Sequence, residues 1–134
     1  MLNGINCING IRILKTKITL TKTEINNLYR TGQKLNYSSF YVFWDFNKNS
    51  NNNPLRLVIS IPKKKIKKAV ERNYIKRCVK ELYRINKVSL SKEIMHPINI
   101  IMIYNKTQLI EFHQLQEEFL TLFQIISKEV NEYN

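Results

Sequence analysis

The chain has 134 residues, 22 basic and 10 acidic, for a net charge of +12. That length fits one domain with a core that needs no metal or disulfide staple. No run of about 18 apolar residues exists to span a membrane, and two cysteines, Cys7 and Cys78, are too few for a disulfide framework and lack metal-ligand spacing.

A domain this basic is expected to seek a polyanion, with nucleic acid first and an anionic membrane surface second. Asn, Ile and Lys share AT-rich codons, so where the charge sits tells more than its total. The cysteine usage fits a reduced, cytoplasmic protein, and the opening MLNGINCINGIRILKTK lacks a secretory pattern.

Residues 1–18 show no clear periodicity and are expected to form an N-terminal arm or a short strand, with 19–134 making up the domain. A further strand near Ile11 to Leu20 is one option. Thr21-Lys22-Thr23-Glu24 reads as a capping box. It opens a helix from Lys22 to Thr31, with Ile25, Leu28 and Tyr29 on one face and a stop at Gly32. Ser39 to Phe46 is a strand by aromatic content. The polar run Asn47 to Asn53 closes a hairpin or a longer loop. Leu55 to Ile61 is a second strand, ended by Pro62, and a basic loop from Lys63 to Lys68 follows.

The next helix is predicted from Ala69 to about Ile85, with residues 86–97 as a connection ended by Pro97. Ile98 to Tyr104 is an apolar run, expected as a buried strand. Thr107 to Asn134 holds a last amphipathic helix, with Leu115, Phe119, Leu122, Phe123 and Ile126 at helical spacing. The order α-β-β-α-β-α predicts an α+β sandwich, one sheet with helices packed against it.

Charge is concentrated in one segment. Residues 63–84 carry ten basic and two acidic groups, whereas residues 111–134 carry five glutamates and one lysine. Codon bias raises lysine everywhere and does not explain this segregation. At 100° per residue, Lys68, Arg72, Asn73, Lys76, Arg77, Lys80 and Arg84 share about half of the helix circumference. Val70, Tyr74, Ile75, Cys78, Val79 and Leu82 fill the other half. A charged face is ordinarily just a solvated face. Here it is nearly all one sign, at spacings where like charges repel, which favours an anionic partner. Each phosphate neutralised would release condensed counterion, and Arg72 and Arg77 could each fork onto a phosphate.

From Lys63 to Arg84 the chain reads KKKIKKAVERNYIKRCVKELYR. This resembles the signature of the bacterial ribonuclease P protein family, centred on an Arg-Asn-x-x-Lys-Arg element that falls here on Arg72, Asn73, Lys76 and Arg77. The resemblance covers about residues 18–126. It implies a ribosomal protein S5 domain 2-like fold with a left-handed βαβ crossover through the basic helix. It also implies a protein subunit that is not itself the catalyst. A catalytic RNA, with Mg²⁺ bound mainly by that RNA, would cut the 5′ leader from precursor tRNA.

The implied partners are that RNA and precursor tRNA, with no membrane or protein partner expected. The implied RNA contacts are Lys64, Lys65, Arg72, Asn73, Lys76 and Arg77, and the charged helix face adds Lys68, Lys80 and Arg84. The implied leader cleft, between the first helix and the sheet, would use Tyr29 and Phe43, whose rings can stack on unpaired bases. The chain departs from the family pattern at Lys67, where glycine is usual, and at Ile25, where an aromatic is frequent. It also departs at Asn99 and Asn105, often Asp and Arg.

Read without the resemblance, Tyr29 and Phe43 are more simply core residues, as aromatics at helix and strand spacing usually are, and Trp44, alternating with Phe43, should face the opposite side. His96 and His113 stand alone, Cys78 reads as a small buried hydrophobe, and Glu81 is placed to pair with Arg77 or Arg84. The rival functions are a general RNA-binding protein of ribosomal or chaperone-like type, a self-sufficient nuclease, and a membrane-surface protein. The last is disfavoured because the apolar half of the basic helix suits a core.

Overall fold

A computed structural model describes residues 20–47 and 55–133, together with the backbone of two short strands, β1 (Cys7–Ile8) and β2 (Ile11–Arg12), which pair antiparallel. The rest of the expected N-terminal arm, and of the strand considered up to Leu20, lies outside the described residues.

Helix α1 (Lys22–Thr31) starts at the capping box. The Thr21 hydroxyl accepts from the Glu24 amide at 3.1 Å, and the Glu24 carboxylate accepts from the Thr21 amide at 2.9 Å. It ends at Gly32, but not through a left-handed turn, because Gly32 is extended at φ −72°. Glycine is needed there for space: a Cβ would lie 2.6 Å from the Leu28 carbonyl oxygen and 3.1 Å from that of Trp44.

Strand β3 (Gln33–Tyr37) follows at once and pairs antiparallel with β4 (Phe40–Phe46). The sequence pattern predicts no strand there, so from α1 onward the order is corrected to α-β-β-β-α-β-α. The two strands are joined by Ser38 and Ser39, with Ser38 at φ 49°, a left-handed conformation that normally favours glycine. Glu118, reaching across from the last helix, accepts from the Ser39 amide at 3.1 Å and from the Gln114 side chain at 3.0 Å. Burial alone would raise the Glu118 pKa. The bonds from Gln114 and the serine turn outweigh it and hold the carboxyl below its ordinary value.

Strand β5 (Leu55–Ser60), helix α2 (Ala69–Glu93), strand β6 (Ile98–Tyr104) and helix α3 (Phe112–Glu132) complete the chain. The sheet order is β3-β4-β6-β5, with β5 parallel to β6 and the other pairs antiparallel. Because β6 lies between β4 and β5, these two strands do not pair as a hairpin; most of the polar run from Asn47 to Asn53 lies outside the described residues. The parallel pair requires a crossover, and α2 is it.

Helix α2 is 25 residues long, about 37 Å, and runs two turns beyond the expected end at Ile85. Its last turns are anchored by Leu90, and the chain leaves the helix at Ile94, both buried. Helix α3 starts at Phe112 and not near Thr107. The lead-in is held by the Tyr104 hydroxyl on the Gln108 carbonyl at 2.6 Å and the Asn105 amide on the Ser39 carbonyl at 2.7 Å.

Strand alternation sorts side chains onto two faces. Phe40, Val42, Trp44, Leu57, Ile59, Ile100 and Met102 join α2 and α3 in the main core. Trp44 lies there as expected and donates its indole N–H to Glu129 at 3.1 Å. On the opposite face, Leu28 of α1 meets Val58 and Ile101 with Leu20 in a small second cluster, against which Ile25, Phe43 and Ile103 pack. Fully burying each such side chain contributes about 1.5–3 kcal/mol.

Candidate nucleic-acid interface

The basic loop before α2 is fastened at three points. The amides of Lys65 and Ile66 both donate to the Pro62 carbonyl, at 3.0 and 3.1 Å. The Ile66 side chain is buried in the main core. The Arg72 guanidinium reaches back, and its Nη1 donates to the carbonyls of Ile66 at 3.0 Å and Lys67 at 2.8 Å. Lys63, Lys64, Lys67 and Lys68 remain exposed and Lys65 is half-exposed. Among the described residues the only non-glycine with positive φ is Ser38. Lys67, standing where the family usually has glycine, therefore sits in a conformation open to any residue.

Lys68 is the N-cap of α2 and makes no side-chain capping bond. The free amides at this helix start and the surrounding lysines add positive potential of the same sign. Along the helix, Asn73, Arg77 and Arg84 are exposed, while Arg72, Lys76 and Lys80 are partly exposed. The structure thus brings the nine residues expected to bind RNA onto one loop and one helix face. Arg72 and Arg84 already have work within the fold. Arg72 organises the loop, and Arg84 forks onto Glu81 at 2.7 and 3.0 Å. The hydrogen bond from Arg84 lowers the Glu81 pKa and raises that of Arg84. Of the two arginines expected beside Glu81, Arg84 takes the contact. Val70, placed with the apolar half by the helical wheel, is 72% exposed. It belongs to the first turn, and full burial on this helix starts with Ile75.

The second feature lies on the other face of the sheet. Tyr29, from the last turns of α1, stands edge-to-face on Phe43 of β4, with centroids 5.1 Å apart at 78°. The two residues expected in a leader cleft thus meet although they lie on different elements. Tyr29 is 44% exposed and Phe43 half-buried. They line an open, mainly apolar groove of about 520 Å³ together with Lys34, Asn36, Tyr41 and Ile103. Lys34 Nζ stands 5.9 Å from the Phe43 ring centroid. Sequence pattern does not point to Lys34 and Asn36, because β3 itself is not expected from it. The signal for Tyr41 is there, two positions from Phe43 and so on the same face of the strand.

Further along this face the sheet turns polar. Arg56, Asn99 and Asp45 are aligned across β5, β6 and β4. Asn99 is 7% exposed, and its Oδ1 has no hydrogen-bond partner. It lines a hollow of about 190 Å³ with Glu24, Asn27, Asp45 and Asn47. Among the described residues no three His, Cys, Asp or Glu side chains converge as metal ligands. The histidines lie apart. His96 sets its edge against Phe46 at 5.7 Å, and exposed His113 pairs with Glu117 at 3.2 Å. Cys78 is buried, and burial pushes its thiol pKa up.

These features define a small α+β domain with a cationic helix face behind its sheet and an aromatic groove in front. The family described as Ribonuclease P matches residues 14–127, and the chain belongs to that family. Membership implies a role in maturation of the tRNA 5′ end. Among solved structures, the ribonuclease P protein of Staphylococcus aureus is 25% identical with a TM-score of 0.70, covering 84% of this chain and 96% of its own. That of Thermotoga maritima is 24% identical with a TM-score of 0.67, covering 82% and 97%. Curated protein sequences give no match.

Proposed function

We propose that this chain is the non-catalytic protein subunit of a cytoplasmic ribonuclease P, binding the catalytic RNA with one face and the 5′ leader of precursor tRNA with the other. The observation that carries this reading is the two-sidedness of the sheet. The cationic face of α2 and its loop lie behind it, and the open groove at Tyr29 and Phe43 lies in front. A protein built this way can hold two nucleic acids at once without making them share a surface.

Lys64, Lys65, Lys68, Asn73, Lys76, Arg77 and Lys80 dock on RNA phosphates, with Arg72 shaping the loop and Arg84 set by Glu81. Neutralising phosphates there lowers repulsion between the two polyanions. The groove gives unpaired leader bases a ring to stack on, which every base can use. Mg²⁺ enters with the RNA, and the protein's part is to bind and orient.

The test is equilibrium binding of precursor and mature tRNA to the reconstituted RNA–protein complex. Tighter binding of the precursor, with the preference reduced by Phe43→Ala, supports the reading. Equal affinity for both tRNAs, with strong salt-sensitive binding to unrelated RNA, replaces it with general RNA binding.

A further inference from the structure

The groove does not end at the Tyr29–Phe43 pair. Tyr41 lies two positions before Phe43 on β4, so both side chains leave the same face of the sheet, about 7 Å apart at the usual strand rise. Tyr41 lines the same groove as Tyr29 and Phe43. It is 44% exposed, and among the described residues no hydrogen bond or ring contact engages its side chain. A single exposed tyrosine on a sheet needs no explanation. This one continues an apolar floor along β4 toward the turn at Ser38 and Ser39, with Asn36 of the edge strand β3 as its cross-strand neighbour and Lys34 as that of Phe43. In the other direction along α1, Ile25 is packed into the small cluster with Leu28 and Val58 and offers no free ring.

We propose that Tyr41 is a second stacking platform of this groove, holding an unpaired leader base one step beyond the Tyr29–Phe43 pair, with Lys34, across from Phe43, for the backbone. The inference rests on the leader reading of the groove. A spacing of about 7 Å is roughly twice the 3.4 Å rise of stacked nucleotides along one strand. Two bases seated on Phe43 and Tyr41 must therefore be unstacked from each other, which a single-stranded leader permits and a duplex does not. The direction is also set: from Phe43 the leader strand runs along β4 toward the turn at Ser38 and Ser39.

The test uses the complex of this protein with a bacterial ribonuclease P RNA and two precursor tRNAs, one with a single-nucleotide leader and one with a leader several nucleotides longer. Tyr41→Leu keeps apolar area and removes the ring, whereas Tyr41→Phe keeps the ring. The expected result is about a ten-fold loss of affinity for the long-leader precursor with Tyr41→Leu, the scale of one base–aromatic stack. Tyr41→Phe should bind like wild type, and neither variant should change binding of the short-leader precursor. If Phe43→Ala weakens long-leader binding but Tyr41→Leu does not, the second platform is wrong and the leader reading stands. If neither does, both fall. Equal weakening of both precursors by Tyr41→Leu also overturns the proposal, since it marks a change in the fold and not in the leader track. Thermal unfolding of each variant, expected within a few degrees of wild type for so exposed a side chain, accompanies the binding.

Discussion

Arg56 of β5 grips Glu24 of α1 with two parallel hydrogen bonds, each 3.0 Å, while the same carboxylate closes the capping box on Thr21. One side chain therefore both starts the first helix and fastens it to the sheet. Since that helix carries Tyr29, the pair fixes one wall of the aromatic groove.

Acid should release this fastening. Burial alone would raise the Glu24 pKa, but the Thr21 amide and Arg56 outweigh it and hold it below the ordinary value. A depressed carboxyl contributes stability above its unfolded pKa, about 4.3, and loses it as pH falls through the lower folded value. Glu24→Gln is expected to cost about 1–2 kcal/mol at neutral pH, from the weakened cap and the missing charged bonds. The gap to wild type should narrow as pH falls past the unfolded value and close below the lower folded one. Urea unfolding across pH measures it. A gap that stays constant with pH contradicts this account.

Gly32→Ala should destabilise the fold even though Gly32 has an ordinary extended backbone. The new methyl would press on the backbone carbonyls of Leu28 and Trp44, which cannot swing aside as a side chain does. Overpacking of this kind costs about 1–3 kcal/mol. A chemical-denaturation midpoint that drops without a change in slope is the expected result.

Arg72 and Arg77 should separate in their effects although both lie in the same motif. Arg77→Ala removes an exposed cation. It should lower the salt dependence of RNA binding by about 0.7–0.9 in log–log slope for each phosphate that the arginine had neutralised. Arg72→Lys keeps the charge but loses the guanidinium reach to the carbonyls of Ile66 and Lys67. Amide exchange at residues 63–68 should therefore quicken in that variant and stay unchanged in Arg77→Ala.

Much of this is legible in the sequence, and the reasons for the exceptions are physical. The capping box, the strand with Trp44 inward, the apolar strand at Ile98 and the segregated charge each follow from local pattern. Strand β3 does not, because Gln33-Lys34-Leu35-Asn36-Tyr37 is a short edge strand with only two apolar residues, neither fully buried. Helix α2 outruns its expected end because Ile85 and Val88 face solvent. The apolar period lapses there, although nothing breaks the helix before Pro97. At the candidate site, the face of the basic helix can be read from spacing. The meeting of Tyr29 with Phe43, the return of Arg72 onto its own loop and the groove beside Tyr41 depend on how separate elements pack.

The central claim is that this protein assists an RNA catalyst. It is tested most directly by cleaving a leader-bearing precursor tRNA at limiting Mg²⁺ with a bacterial ribonuclease P RNA, cognate where possible, with and without the protein. The account predicts faster 5′ cleavage when protein and RNA are combined, loss of that gain with Arg77→Ala combined with Phe43→Ala, and no cleavage by protein alone. Cleavage by the protein without RNA, or no stimulation of its cognate RNA, would contradict it.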